Sequence, residues 1–212
     1  MRETFERQLK QLNDEMIQMG NNIEEAIEMA VRALMELDRE KAEKAIAFDE
    51  VIDAQEKKIE SMCLNLLLQQ HPVARDLRTV SSALKMITDM ERIGDHAADI
   101  SEITLLLADL PNVQKTELIR QMAKETIAMV IKSVEAFVEK NQEKAEAVIA
   151  QDDVVDDLFI QLKQEIIERI RKEPQGGEQV TDLLMIGKYF ERIGDHATNI
   201  AEWVIYSVTG VH

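Results

Sequence analysis

Apolar residues recur at intervals of three and four through nearly the whole chain. Leu77, Val80, Leu84 and Ile87 show the spacing that turns one stripe of a helix toward a core. Beyond them the apolar positions shift to Ile93, Ala97, Ile100 and Leu107. Breaks in this pattern are few, because 212 residues contain only 7 Gly and 3 Pro, far fewer than a sandwich or barrel of this length would need for its turns. The pattern predicts six helices, over 3–37, 39–70, 74–108, 113–140, 142–172 and 178–208. Asp38 and Asn141 stand where an N-cap is needed, since their short side chains accept an otherwise unpaired backbone N–H. His71-Pro72 and Glu173-Pro174-Gln175-Gly176-Gly177 should end the second and fifth helices, because proline cannot extend the hydrogen-bond ladder. Leu110-Pro111-Asn112 should join the third to the fourth.

The chain repeats itself. Residues 91–102, ERIGDHAADISE, align with 191–202, ERIGDHATNIAE, at a shift of 100, with nine of twelve positions identical and seven of them consecutive. Residues 40–53, EKAEKAIAFDEVID, align with 143–156, EKAEAVIAQDDVVD, at a shift of 103, again with nine identities. The second copy is therefore three residues shorter between the two blocks, where Pro72 and Pro174 mark the connectors. The expected fold is all-α, two tandem three-helix bundles running up-down-up, with repeat units 1–109 and 110–212. Helices of about 30 residues would span ~45 Å.

Composition narrows the setting. Eleven Met and only 4% aromatic residues require a core of aliphatic and thioether side chains. The lone Cys63, inside the run Cys63-Leu64-Asn65-Leu66-Leu67-Leu68, reads as a buried thiol in a reducing compartment. The charged start, with no apolar stretch behind it, does not read as an export signal. No run approaches the ~20 apolar residues that cross a bilayer. A cytoplasmic location follows, with no direct membrane insertion. A net charge of -16 disfavours nucleic acid and favours cations or basic protein surfaces as partners.

The acids fall in stripes. Glu91 and Asp95 lie one turn apart on one helix face, and Asp99 and Glu102 extend their line. On the preceding helix Asp49, Asp53, Glu56 and Glu60 make a second line. The other copy repeats this as Glu191 and Asp195, followed by Asn199 and Glu202, with Asp152 and Asp156 on its preceding helix. Like charges at this spacing repel by a few tenths of a kcal/mol per pair, so a compensating group is expected. A divalent or trivalent cation suits hard carboxylate oxygens offered by two helices: iron, manganese, magnesium, calcium or zinc, with bridging carboxylates able to hold more than one ion. Arg92 and Arg192 could neutralise the stripes instead. His96 and His196 point about 100° from the neighbouring aspartates, toward a capping or surface role as readily as ligation. Gly94 and Gly194 cost a helix roughly 1 kcal/mol each, which calls for close packing of another helix or access of a ligand to the backbone.

Two copies of Glu-Arg-Ile-Gly-Asp-His-Ala, each in the last helix of a three-helix unit, resemble the PhoU family of phosphate-specific transport accessory proteins. Asp76-Leu77-Arg78, after Pro72, also looks like the family's connector. The resemblance covers the whole chain and implies two three-helix bundles, a homodimer, and metal clusters at Glu/Asp-x-x-x-Asp motifs, here Glu91 with Asp95 and Glu191 with Asp195. It further implies negative regulation of phosphate uptake and of the phosphate-starvation response. The implied partners are the ATP-binding subunit of a phosphate ABC transporter and the phosphate-sensing histidine kinase. Asn199 opposite Asp99, and Phe159 and Lys163 opposite Glu56 and Glu60, depart from symmetry, so the two sites should differ in metal number or affinity. Two further readings share the helical repeat: an accessory protein of a permease-type phosphate transporter, and a metal-free helical adaptor. A di-iron oxidase is disfavoured, because such sites need Glu-x-x-His and no Glu here has His three residues on.

Overall fold

In the computed structural model, residues 2–69, 73–110, 113, 116–174 and 177–211 are described. Six helices follow in chain order: α1 (Arg2–Glu36), α2 (Arg39–Gln69), α3 (Ala74–Ala108), α4 (Glu117–Glu139), α5 (Gln142–Lys172) and α6 (Gly177–Thr209). None of the described residues is in a strand.

Capping chemistry places the sharpest boundaries. Asp38 Oδ1 accepts from the Lys41 N–H at 3.1 Å, and Asn141 Oδ1 from the Lys144 N–H at 3.0 Å, so the same device opens α2 and α5. Each cap follows a residue in the left-handed region, Leu37 at φ 52° and Lys140 at φ 54°, which folds the chain back within two residues. The fourth helix starts later than predicted. Val113 is not helical, and Thr116 opens α4 by accepting from the Leu118 N–H at 3.3 Å while its own hydroxyl donates to Glu165 at 3.0 Å. Val113 is apolar and extends the helical pattern past the true start. Pro174 lies just past the end of α5, as its missing N–H requires. Asp76-Leu77-Arg78 belongs to the first turns of α3 and is no connector. Gln70, His71, Pro72, Pro111, Asn112, Gln175 and Gly176, on which other predicted ends and joints fell, lie outside the described residues.

Within each repeat the three helices pack on one another, and the repeats join through α3 against α6 and α1 against α4. The α3–α6 pair is antiparallel: Arg78 lies by Gly210, Lys85 over Trp203, and His96 by Tyr189. One continuous apolar core runs through both repeats, filled by Met16, Met19, Met86, Met90, Met122 and Met129 among the aliphatic residues. Each such side chain, fully buried, contributes about 1.5–3 kcal/mol. Leu77 does not join the core. It is 47% exposed in the first turns of α3, near the end of the bundle, whereas Val80 and Ile87 farther along are buried. An exposed two-pronged contact from Arg39 to Asp109, both oxygens at 2.9 Å, ties the start of α2 to the end of α3.

Candidate functional site

The α2–α3 and α5–α6 grooves carry the acids, and glycine sets how closely each pair of helices meets. A Cβ at Gly94 would come within 3.0 Å of Asp49 Oδ1 and 2.8 Å of Ile52 Cδ1. At Gly194 it would come within 2.8 Å of Asp152 Oδ1. The glycines thus let an aspartate of the neighbouring helix lie against the α3 or α6 backbone, and the arrangement is the same in both repeats. Close helix packing is the reason for them.

Burial and crowding make these carboxyl groups weaker acids. Asp49 is pushed up to about 6, mainly by loss of solvent, then by Asp95, Asp53 and Asp99. Asp152 is also pushed up to about 6, by burial and then by Asp156, Asp195 and Glu191. Glu91 is raised by burial and by Asp95, while Asp156 and Asp195 are raised by burial and by Glu191. Glu56 follows, through burial and the nearby Glu60 and Asp53. Asp49 thus feels Asp95, Asp53 and Asp99 across the first groove, and Asp152 feels Asp195 and Glu191 across the second.

They are not all free. Arg92 donates to Asp95 at 2.8 Å and lies 3.5 Å from Glu91. Asp53 has Lys57 at 3.9 Å, and Asp99 has the His96 ring at 3.2 Å. In the second repeat Lys188, not Arg192, is the cation on the stripe: its ammonium donates to Glu191. Among the described residues, no three of His, Cys, Asp or Glu are close enough to form a ready-made metal cage. Asp49 stands apart, because its buried Oδ1 has no hydrogen-bond partner among the described residues. A buried carboxylate oxygen without a donor is costly unless a cation or proton meets it. An all-oxygen donor set with one such orphan fits a hard metal ion chemically, although the surrounding carboxylates are held by cations of the chain itself.

The histidines are at neither a cap nor an open surface. His96 and His196 meet across the α3–α6 junction, ring centroids 5.5 Å apart. His196 Nδ1 donates to Asp89 Oδ1 at 2.8 Å, Asn199 donates to the same oxygen at 3.1 Å, and His96 rests 5.3 Å from the ring of Tyr189. Burial lowers the basicity of His96, against which Asp99 acts. Asp89 and Tyr189 were not singled out from the sequence. The shift of 100 held the clue, because an antiparallel pairing that sets 96 beside 189 must set 196 beside 89. Cys63 is fully buried, its thiol pushed up to about 12 by loss of solvent and by Glu60.

Fold and grooves together define a class: a tandem helical repeat whose two units are joined through their third helices, each unit bearing an acid-lined helix pair. The PhoU domain matches residues 16–104 and 119–204. The phosphate-specific transport system accessory protein PhoU homolog of Clostridium acetobutylicum is 36% identical over 99% of this chain and 96% of its own length. The crystal structure of PhoU from Pseudomonas aeruginosa superposes with a TM-score of 0.91 at 29% identity, covering 98% of this chain and 100% of that one. The phosphate transport system regulatory protein PhoU from Streptococcus pneumoniae gives 0.91 at 31% identity, covering 98% of each. This chain belongs to the PhoU family. No described helix is long and apolar enough to cross a membrane.

Proposed function

We propose that this chain is a regulatory accessory protein of phosphate-specific transport. It restrains phosphate uptake and the phosphate-starvation response when phosphate is plentiful, by contacts with the ATP-binding subunit of the phosphate ABC transporter and with the phosphate-sensing histidine kinase. Full-length kinship with PhoU proteins supports the regulatory part. The orphaned carboxylate oxygen of Asp49 supports the metal part. Asp49, Asp53, Glu91, Asp95 and Asp99 would hold the ion in the first repeat, and Asp152, Asp156, Glu191 and Asp195 in the second. A bound hard cation supplies positive charge where carboxylates of two helices repel. The chain's own part is to set that charge between α2 and α3, and between α5 and α6, so that the angle of each pair, and hence the surface offered to a partner, depends on whether the acids are neutralised. Glycines 94 and 194 make those pairs tight enough for the coupling.

The Arg92 contacts favour a second reading, in which the stripes are neutralised by the chain itself and the protein is a metal-free adaptor. One experiment separates the two. Asp49, Glu91 and Asp95 are replaced by Ala, metal content is measured by elemental analysis of protein purified without affinity metals, and phosphate uptake is measured in phosphate-replete cells. Loss of metal together with derepressed uptake is expected. Unchanged metal content rejects the ligands, and unchanged uptake in a strain lacking the whole gene rejects the regulatory role.

A further inference from the structure

Where α1 meets α4, the seam between the repeats is open. Near one end it widens into a cleft of about 600 Å³ floored by Val31, Met35 and Ile127. Farther along the same seam a second hollow of about 260 Å³ is floored by Ile17, Val134 and Val138, with Glu135 and Glu139 at its edge, both engaged by Lys144. The helices are in ordinary packing contact there, a Cβ at Gly20 lying 3.4 Å from Val134. Two antiparallel helices with an apolar trough between them offer the shape that receives a third helix, whose own apolar residues recur every three or four positions.

Charge specifies the occupant further. The wide cleft is lined by Arg32, Arg120 and Lys124 on a chain of net charge -16. Arg32 and Lys124 make no ion pair among the described residues, and Arg120 has only the exposed Glu117 at 3.8 Å. Of the two acids in the cleft, Glu36 is engaged by Lys41, which leaves Glu28. Cations left unpaired among 41 acids, around an apolar floor, are complementary to a ligand that is apolar on one side and acidic beside it. A small anion would use the cations and leave the floor wet. An amphipathic helix uses both.

We infer that the α1–α4 seam docks an acidic amphipathic helix of a partner protein, its apolar stripe on Val31, Met35 and Ile127 and its carboxylates on Arg32, Arg120 and Lys124. This surface stands whether or not the acid-lined grooves bind metal. The probe is a labelled peptide of ~18 residues with leucines at helical spacing and glutamates elsewhere, compared with a twin carrying lysines for glutamates. Fluorescence anisotropy with the full chain should show the glutamate peptide bound at least ~10-fold more tightly. Arg32→Glu with Lys124→Glu, both on exposed positions, should reverse the order while leaving the helical circular dichroism unchanged. Equal binding of the two peptides, no binding of either, or indifference to the charge reversal overturns the inference. So does displacement of the peptide by inorganic phosphate beyond that caused by chloride of equal ionic strength, which would make the cleft a small-anion site. Loss of self-association in the reversed variant would make it a contact between copies of this chain and overturns it as well.

Discussion

His196 Nδ1 lies 2.8 Å from Asp89 Oδ1, joining α6 of the second repeat to α3 of the first with both side chains mostly buried. Asn199 donates to the same oxygen, so Asp89 is the hub of the polar contacts across this junction. Removing Asp89 leaves the mostly buried His196 donor without an acceptor, whereas the exposed Asn199 amide can turn to water. Asp89→Ala should lower the unfolding free energy by about 1–3 kcal/mol, the usual cost of breaking a buried hydrogen bond from one side. The double variant with His196→Ala should lose less than the sum of the two single losses, because both changes delete the same contact. Urea unfolding of the four-protein cycle measures this, and additive losses would show that the pair is not coupled.

Arg92 competes with any cation for Glu91 and Asp95. Its pairing is exposed and screened by solvent, so it is a weak competitor. Arg92→Ala should therefore tighten binding of manganese or iron at the first repeat by at most ~5-fold, as expected for a solvent-screened pair. Chelator-competition titration reads the change. Weaker binding would mean that the guanidinium helps to arrange the ligands.

The acid groups make the metal-free protein sensitive to pH in a definite direction. Asp49 and Asp152 hold their protons up to about 6 when folded, but release them near 3.8 when unfolded. The folded chain therefore binds more protons between those values, and stability present at pH 4 is lost as pH rises through 6. Asp49→Asn with Asp152→Asn should flatten this loss and make the metal-free protein more stable at pH 7.5. Denaturant midpoints at pH 4.5, 6 and 7.5 test the sign, and a midpoint that climbs over this range in the wild type but not in the variant would contradict it.

Lys140 ends α4 in a conformation that side chains adopt reluctantly, φ 54°. Glycine carries no such penalty and commonly closes helices in this way. Lys140→Gly should stabilise the fold by about 0.5–1 kcal/mol, raising the melting temperature by ~1–4 °C for a chain of this size. The equivalent change at Leu37 should help less, because Leu37 packs against the core. A fall in melting temperature for Lys140→Gly would show that the lysine's own contacts outweigh the backbone strain.

The six helices, their duplication, the caps at Asp38 and Asn141 and the gathering of acids on neighbouring helices were all legible in the chain, because helical periodicity, capping chemistry and repeated motifs are local and need no partner to be recognised. The start of α4 was misread for the same local reason: Val113 fits an apolar pattern, and only the hydroxyl of Thr116 marks the true entry. Leu77 likewise fits the stripe that points inward, yet no neighbour reaches far enough to cover it. What packing decided is where side chains from different helices meet. Gly94 tolerates no Cβ because α2 presses Asp49 and Ile52 against it, and Arg92 rather than solvent faces Asp95. The histidines turned inward because α3 and α6 cross antiparallel at the repeat junction, a choice made by the combined burial of both helices that no single stretch of sequence contains.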